Sequence, residues 1–136
     1  MSAVLSLAAR QARLQTLRDL LDTGGAAAMR FYTGSVLPPT PETATNEVLL
    51  CVIGLANPLG AVSATGNVAT LTVAVPRTGN AIETGAIGWV RFVDGAGTAV
   101  LDCAVSATAG LAPVVVSDTQ VYTGGELQLL SCVITE

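Results

Sequence analysis

The side chains able to do chemistry in this chain are few, and the missing ones decide more than those present. Histidine and lysine are absent, so every cationic residue is an arginine: Arg10, Arg13, Arg18, Arg30, Arg77 and Arg91. Without histidine the commonest general base and metal ligand is lost, and without lysine there is no Schiff-base nucleophile. Neither a Ser-His-Asp nor a Cys-His arrangement can be assembled. Cys51, Cys103 and Cys132 are odd in number, form no CxxC pair, and each sits in an apolar, strand-like run. That pattern predicts buried free thiols in a protein made in a reducing cytosol, rather than a zinc site or a disulfide framework. The expectation is a chain that is not an enzyme, with no catalytic residues, no metal and no cofactor.

The carboxylates give the same reading. Glu42, Glu47, Glu83, Asp94, Asp102, Asp118 and Glu126 are scattered over expected turns and strand ends. A glycosidase pair drawn from them would also need aromatic residues to stack sugars, and the chain has one Trp, two Tyr and two Phe. Asp94-Gly-Ala-Gly97 lacks the alternating carboxylates and distal Glu of a calcium loop and reads as a hairpin turn. Gly85-x-x-Gly88 and Gly95-x-Gly97 do not open a helix after a strand, as phosphate cradling requires. Asp102 lies within reach of Arg91 across the expected hairpin, which predicts a cross-strand ion pair. Trp89 and Phe92 fall on opposite strand faces, Trp89 being expected in the core.

The elements that hold these residues divide near Gly25. Residues 2–22 predict one helix of about 30 Å, with Ser2 as its cap and Gly24-Gly25 as its stop. The apolar run from Ala3 to Ala9 is followed by Arg10, Arg13 and Arg18, where a secretory signal would need a small, neutral cleavage region. Leu7, Leu14, Leu17 and Leu21 form one apolar stripe. That stripe either packs on its own domain or reaches a neighbouring subunit as an arm.

After Gly25 the apolar period becomes two, with Val and Thr prominent and turn formers every eight to twelve positions or so. Strands are expected over 26–33, 47–55, 68–75, 83–93, 98–106, 113–116 and 126–135. Breakers fall at Pro38-Pro39-Thr40-Pro41, Asn57-Pro58, Pro76 to Asn80, Asp94 to Gly97 and Gly124-Gly125. The hairpin from Glu83 to Ser106 is the clearest local unit, and residues 35–46 read as a surface crossover. The division is a helical arm over 1–24 and a mainly β domain over 25–136. The expected fold is an antiparallel β-sandwich, jelly-roll or immunoglobulin-like, preceded by one helix.

Charged residues make up 12% of the chain and the net charge is −4, so the cationic field that nucleic acid needs is missing. No apolar run reaches the roughly 20 residues of a membrane-spanning helix, although mean hydropathy is +0.61. So little charge predicts that part of the surface is covered by other protein. Open strand edges and charge-poor faces favour a dimer or trimer.

Three stretches carry a resemblance. They are Met29-Arg-Phe-Tyr-Thr-Gly34 leading to Pro38-Pro-Thr-Pro41, the run Gly85-Ala-Ile-Gly-Trp-Val-Arg-Phe-Val-Asp-Gly-Ala-Gly-Thr-Ala-Val-Leu-Asp102, and Gly124-Gly-Glu-Leu through Ile134-Thr-Glu136. Together they resemble small virion structural proteins of tailed bacteriophages, of the head decoration or cement type. The resemblance implies a non-enzymatic homo-oligomer that binds and stabilises the major capsid shell, localised to the virion and assembled in the host cytoplasm. It leaves open a collar, tail or fibre-base component; a β-sandwich receptor- or carbohydrate-binding module is a separate alternative. The residues expected to contact the partner are the helix stripe, Leu7, Leu14, Leu17 and Leu21, with Arg10 and Arg18 nearby to pair with its carboxylates.

Overall fold

The computed structural model describes residues 4–41, 43 and 45–136. The helix α1 spans Leu7–Leu21, a shorter element than the pattern of helix formers predicts. Ser2 lies outside the described residues. Ser6 provides the cap: its Oγ accepts from the Ala9 N–H at 3.1 Å while its own backbone stays extended. Arg18 in the last turn complements the helix dipole. Gly24, at φ 78°, then turns the chain, and the close approach of Gly95 to Gly24 brings the helix end against a sheet turn.

Eleven strands follow among the described residues: β1 (Ala28–Tyr32), β2 (Leu49–Gly54), β3 (Gly60–Thr65), β4 (Val68–Val73), β5 (Arg77–Asn80), β6 (Gly85–Ala86), β7 (Trp89–Val93), β8 (Ala99–Ser106), β9 (Val114–Val116), β10 (Gln120–Val121) and β11 (Glu126–Thr135). The main sheet runs β2-β1-β7-β8-β9-β11-β4-β3, with β5 also on β11, and β6 pairs separately with β10. The protein is thus mainly β with one N-terminal helix.

The sheet is mixed, which corrects the expectation of a purely antiparallel one. β8 and β9 pair in parallel, Val105 with Val114 and Ser106 with Val115. β9 must run antiparallel to β11 to share its ladder. The 107–113 loop, with Gly110 at φ 85°, returns the chain in the same direction as β8, so the two meet in parallel over two residues only.

The sheet also curls back on itself. Just past β5, Ala81 bridges Cys51 of β2, and the Ile82 N–H donates to the Leu50 carbonyl at 2.8 Å. β5 and β4 lie along β11 as one interrupted strand, pairing with Glu126–Leu129 and Val133–Thr135 respectively. Both the Val75–Pro76 and the Asn57–Pro58 peptides are cis, at the interruptions between β4 and β5 and between β2 and β3. Residues 77–80, expected as part of a turn, are therefore a strand. Tertiary pairing overrides local composition, and Gly79 permits it because a Cβ there would stand 2.2 Å from the Val52 carbonyl oxygen.

One core fills the curl. Phe31, Leu50, Ile53, Leu71, Phe92, Leu127 and Leu129 are fully buried, each contributing roughly 1.5–3 kcal/mol of burial. Leu14 and Leu21 belong to the same cluster, and α1 packs on β3 and β4. Of the two destinations open to the leucine stripe, the structure shows the chain's own sheet.

Candidate interaction surface

A dense polar arrangement lies on the sheet face opposite the core, where β1, β7 and β8 meet. Strand register sets Tyr32 opposite Trp89 and Arg91 opposite Asp102. The Tyr32 and Trp89 rings stack with centroids 4.7 Å apart and planes inclined by 17°. Arg91 and Asp102 form a two-pronged pair, Nε to Oδ1 at 2.8 Å and Nη2 to Oδ2 at 3.1 Å. Their side chains are only 8% and 6% exposed, so the expected cross-strand ion pair is present and buried. The Arg91 guanidinium also lies 5.1 Å from the Trp89 ring centroid.

These residues clamp the crossover between β1 and β2. Trp89 Nε1 donates to the Thr33 carbonyl at 3.1 Å, and Arg91 Nη1 donates to the Thr43 carbonyl at 3.0 Å. The first end is held closely as well: a Cβ on Gly88 would overlap the Gly34 carbonyl oxygen. The crossover is therefore a strap fixed at both ends over a buried tryptophan and a buried ion pair. Its free portion displays Val36, 74% exposed, and Leu37, 42% exposed, immediately before Pro38 and Pro39. Glu42 lies outside the described residues.

The remaining reactive groups are held out of reaction. Cys51, Cys103 and Cys132 are free and buried. Burial, reinforced by the Asp102 charge, pushes the Cys103 thiol up to about 12. Burial, reinforced by Cys103, takes Cys132 to about 12. Burial also raises Cys51, against a backbone hydrogen bond from Val52. Such thiols stay protonated at neutral pH and are poor nucleophiles. Asp94 serves its hairpin turn, its Oδ1 accepting from the Ala96 and Thr98 N–H groups. Among the described residues, no three Cys, Asp or Glu side chains come together as a metal site, and no helix is long and apolar enough to cross a membrane.

The six residues singled out on the helix fare differently. Leu14 and Leu21 are buried within the chain and have no surface to give a partner; Leu7 and Leu17 are half-buried against the same core. Arg10 is engaged internally, Nη1 donating to the carbonyls of Asn67 at 2.9 Å and Glu136 at 3.1 Å, and Nη2 to Asn67 Oδ1 at 2.9 Å. Arg18 reaches Asp19 at 3.4 Å. The helix instead presents Leu20, 52% exposed, beside Ala12, Arg13, Thr16 and Leu17 around a shallow apolar groove. Helical periodicity identified the face that folds the chain and, for that reason, missed the face left over. The strap tip carries no periodic signal; its one mark in the sequence is a Val-Leu pair directly before a proline cluster.

No protein-family model, no curated protein and no solved structure matches the chain.

Proposed function

We propose that the chain is a non-enzymatic structural subunit of a tailed-phage virion, a decoration or cement protein that binds and stabilises the major capsid shell. The resemblance of the Met29–Pro41, Gly85–Asp102 and C-terminal stretches to such proteins supplies the class. The observation that carries the reading is the strap. A buried clamp at each end fixes a surface loop whose tip holds two adjacent exposed aliphatic side chains, apolar surface that a partner gains by covering. Pre-fixing the loop lowers the entropy lost when it docks, and many copies on one shell convert a small contact into avidity.

In this reading the curled sheet acts as a jelly-roll-like sandwich. Its layers would be β2-β1-β7-β8 and β9-β11 with β5, β4 and β3; the continuous strand order and the return of Ala81 onto Cys51 support this division. Partners are the major capsid protein or other virion subunits, with no nucleic acid and no membrane, and the site of action is the virion assembled in the host cytoplasm.

The test is incorporation into particles. The wild-type chain should approach equimolar ratio with the major capsid subunit in purified particles. Val36→Asp with Leu37→Asp should reduce incorporation at least tenfold while circular dichroism stays unchanged. Normal incorporation of that variant would remove the strap from the interface, and a few copies per particle would place the chain in the collar or tail instead.

A further inference from the structure

The far edge of β3 is unpaired among the described residues. β3 ends the main sheet and meets only β4, with Gly60 opposite Val73 through to Thr65 opposite Val68. β2, which precedes it in the chain, has both edges covered: β1 pairs with one, while Ala81, Ile82 and the Arg77 guanidinium, whose Nε donates to the Gly54 carbonyl at 2.8 Å, close the other. The usual devices that guard an open edge are missing from β3. It has no lysine, no proline, no inward charge and no bulge in its register. Ala61, Ser63, Ala64 and Thr65 are exposed and small, so a second backbone can approach.

The direction of the free groups follows from the ladder. The Ala74 N–H donates to the Leu59 carbonyl at 3.0 Å, which makes that pair a hydrogen-bonded one. Alternation then turns Ala61, Ser63 and Thr65 toward β4, and leaves the N–H and C=O groups of Gly60, Val62 and Ala64 pointing outward.

We propose that β3 is a self-association edge, through which two copies of this chain pair antiparallel about a two-fold axis at Val62. In that register Val62 meets its own counterpart and Gly60 of one copy meets Ala64 of the other, giving about six backbone hydrogen bonds. Charge selects the occupant. The chain carries net −4, so two copies repel over most approaches, yet residues 48–76 contain no charged side chain at all. The strand itself sets no like charges opposite each other, so a second copy meets a neutral seam of matching size. The isologous pairing also closes both open edges at once. This inference rests on the strand edge and is independent of the virion reading.

The experiment is sedimentation velocity on the purified chain from about 1 to 100 µM, with hydrogen exchange at both ends of that range. The wild type should dimerise, and the amides of Gly60, Val62 and Ala64 should gain protection as the dimer forms. Ala64→Pro removes one outward donor from each copy without touching the β4 ladder; at about tenfold per lost hydrogen bond, it should weaken the dimer about 100-fold. Ser63→Lys, at an exposed position, should do likewise by placing like charges along the seam, and it carries the test if the proline variant fails to fold. Leu20→Lys on α1 should leave the dimer intact. A wild type monomeric at 100 µM overturns the proposal, as does a dimer that survives the folded β3 variants or one that forms without protecting those amides.

Discussion

The buried pair of Arg91 and Asp102 gives the sharpest test of how the strap is held. Asp102→Ala removes two charge-assisted hydrogen bonds, of 2.8 and 3.1 Å, from a guanidinium whose side chain is 8% exposed. Each such bond is worth roughly 1.5–3 kcal/mol, so about 3–6 kcal/mol is at stake. Part is retained, because Arg91 keeps the Thr43 carbonyl and the face of Trp89. A net loss of about 2–4 kcal/mol follows, within the usual cost of stripping one partner from a buried pair after that allowance. For 136 residues the unfolding entropy is about 0.3 kcal/mol per degree, so the midpoint should fall by about 7–14 °C. Thermal unfolding followed by circular dichroism reads the midpoint. Emission from Trp89, the single tryptophan, reads the strap, because water reaching the ring when the strap loosens shifts the emission to the red. Arg91→Met with Asp102→Leu should recover most of the stability, since an apolar pair of similar volume needs no desolvation. A loss below about 1 kcal/mol for Asp102→Ala with unshifted emission would refute the clamp, as would a double variant no more stable than the single one.

Two further outcomes follow from the core. Cys103 and Cys132 have folded values of about 12, raised above the unfolded thiol mainly by burial, so their contribution is complete below about pH 8.5 and declines as pH rises toward 12. Urea midpoints should drop between pH 8.5 and 11, Cys132→Val should flatten that drop, and thiol reagents at pH 7 should label the cysteines only after denaturation. In α1, Leu14→Ala should lower stability by about 2–4 kcal/mol in chemical denaturation, whereas Leu20→Ala should change it by less than about 0.5 kcal/mol; equal effects would contradict the helix orientation.

Legibility from sequence tracked how local the cause was. The β7–β8 hairpin, its Asp94 turn, the Arg91 and Asp102 pair and the buried thiols all follow from neighbours in the chain, but the strand expected over 83–93 breaks before Trp89, and Gly85–Ala86 pairs with β10 instead. The start of α1 moved to Ser6 because a cap is set by which hydroxyl meets a free amide, and several helix formers upstream do not decide that. β3 and β5 went unseen for a different reason. Gly60-Ala-Val-Ser-Ala-Thr65 and Arg77-Thr-Gly-Asn80 have weak strand propensity, and they are strands because β4 and β11 supply ladders from elsewhere in the chain.

The same distinction governs the surfaces. A periodic apolar stripe is most strongly written where the chain needs it for its own core, so Leu14 and Leu21 were the most visible candidates and the least available ones. Side chains that a fold can spare leave no period behind. Val36 and Leu37 are conspicuous only after Trp89 and Arg91 are seen to hold the strap that carries them, and β3 only after its outward amides are counted. For the contact function proposed for this chain, the surfaces that matter are those the folding pattern does not explain.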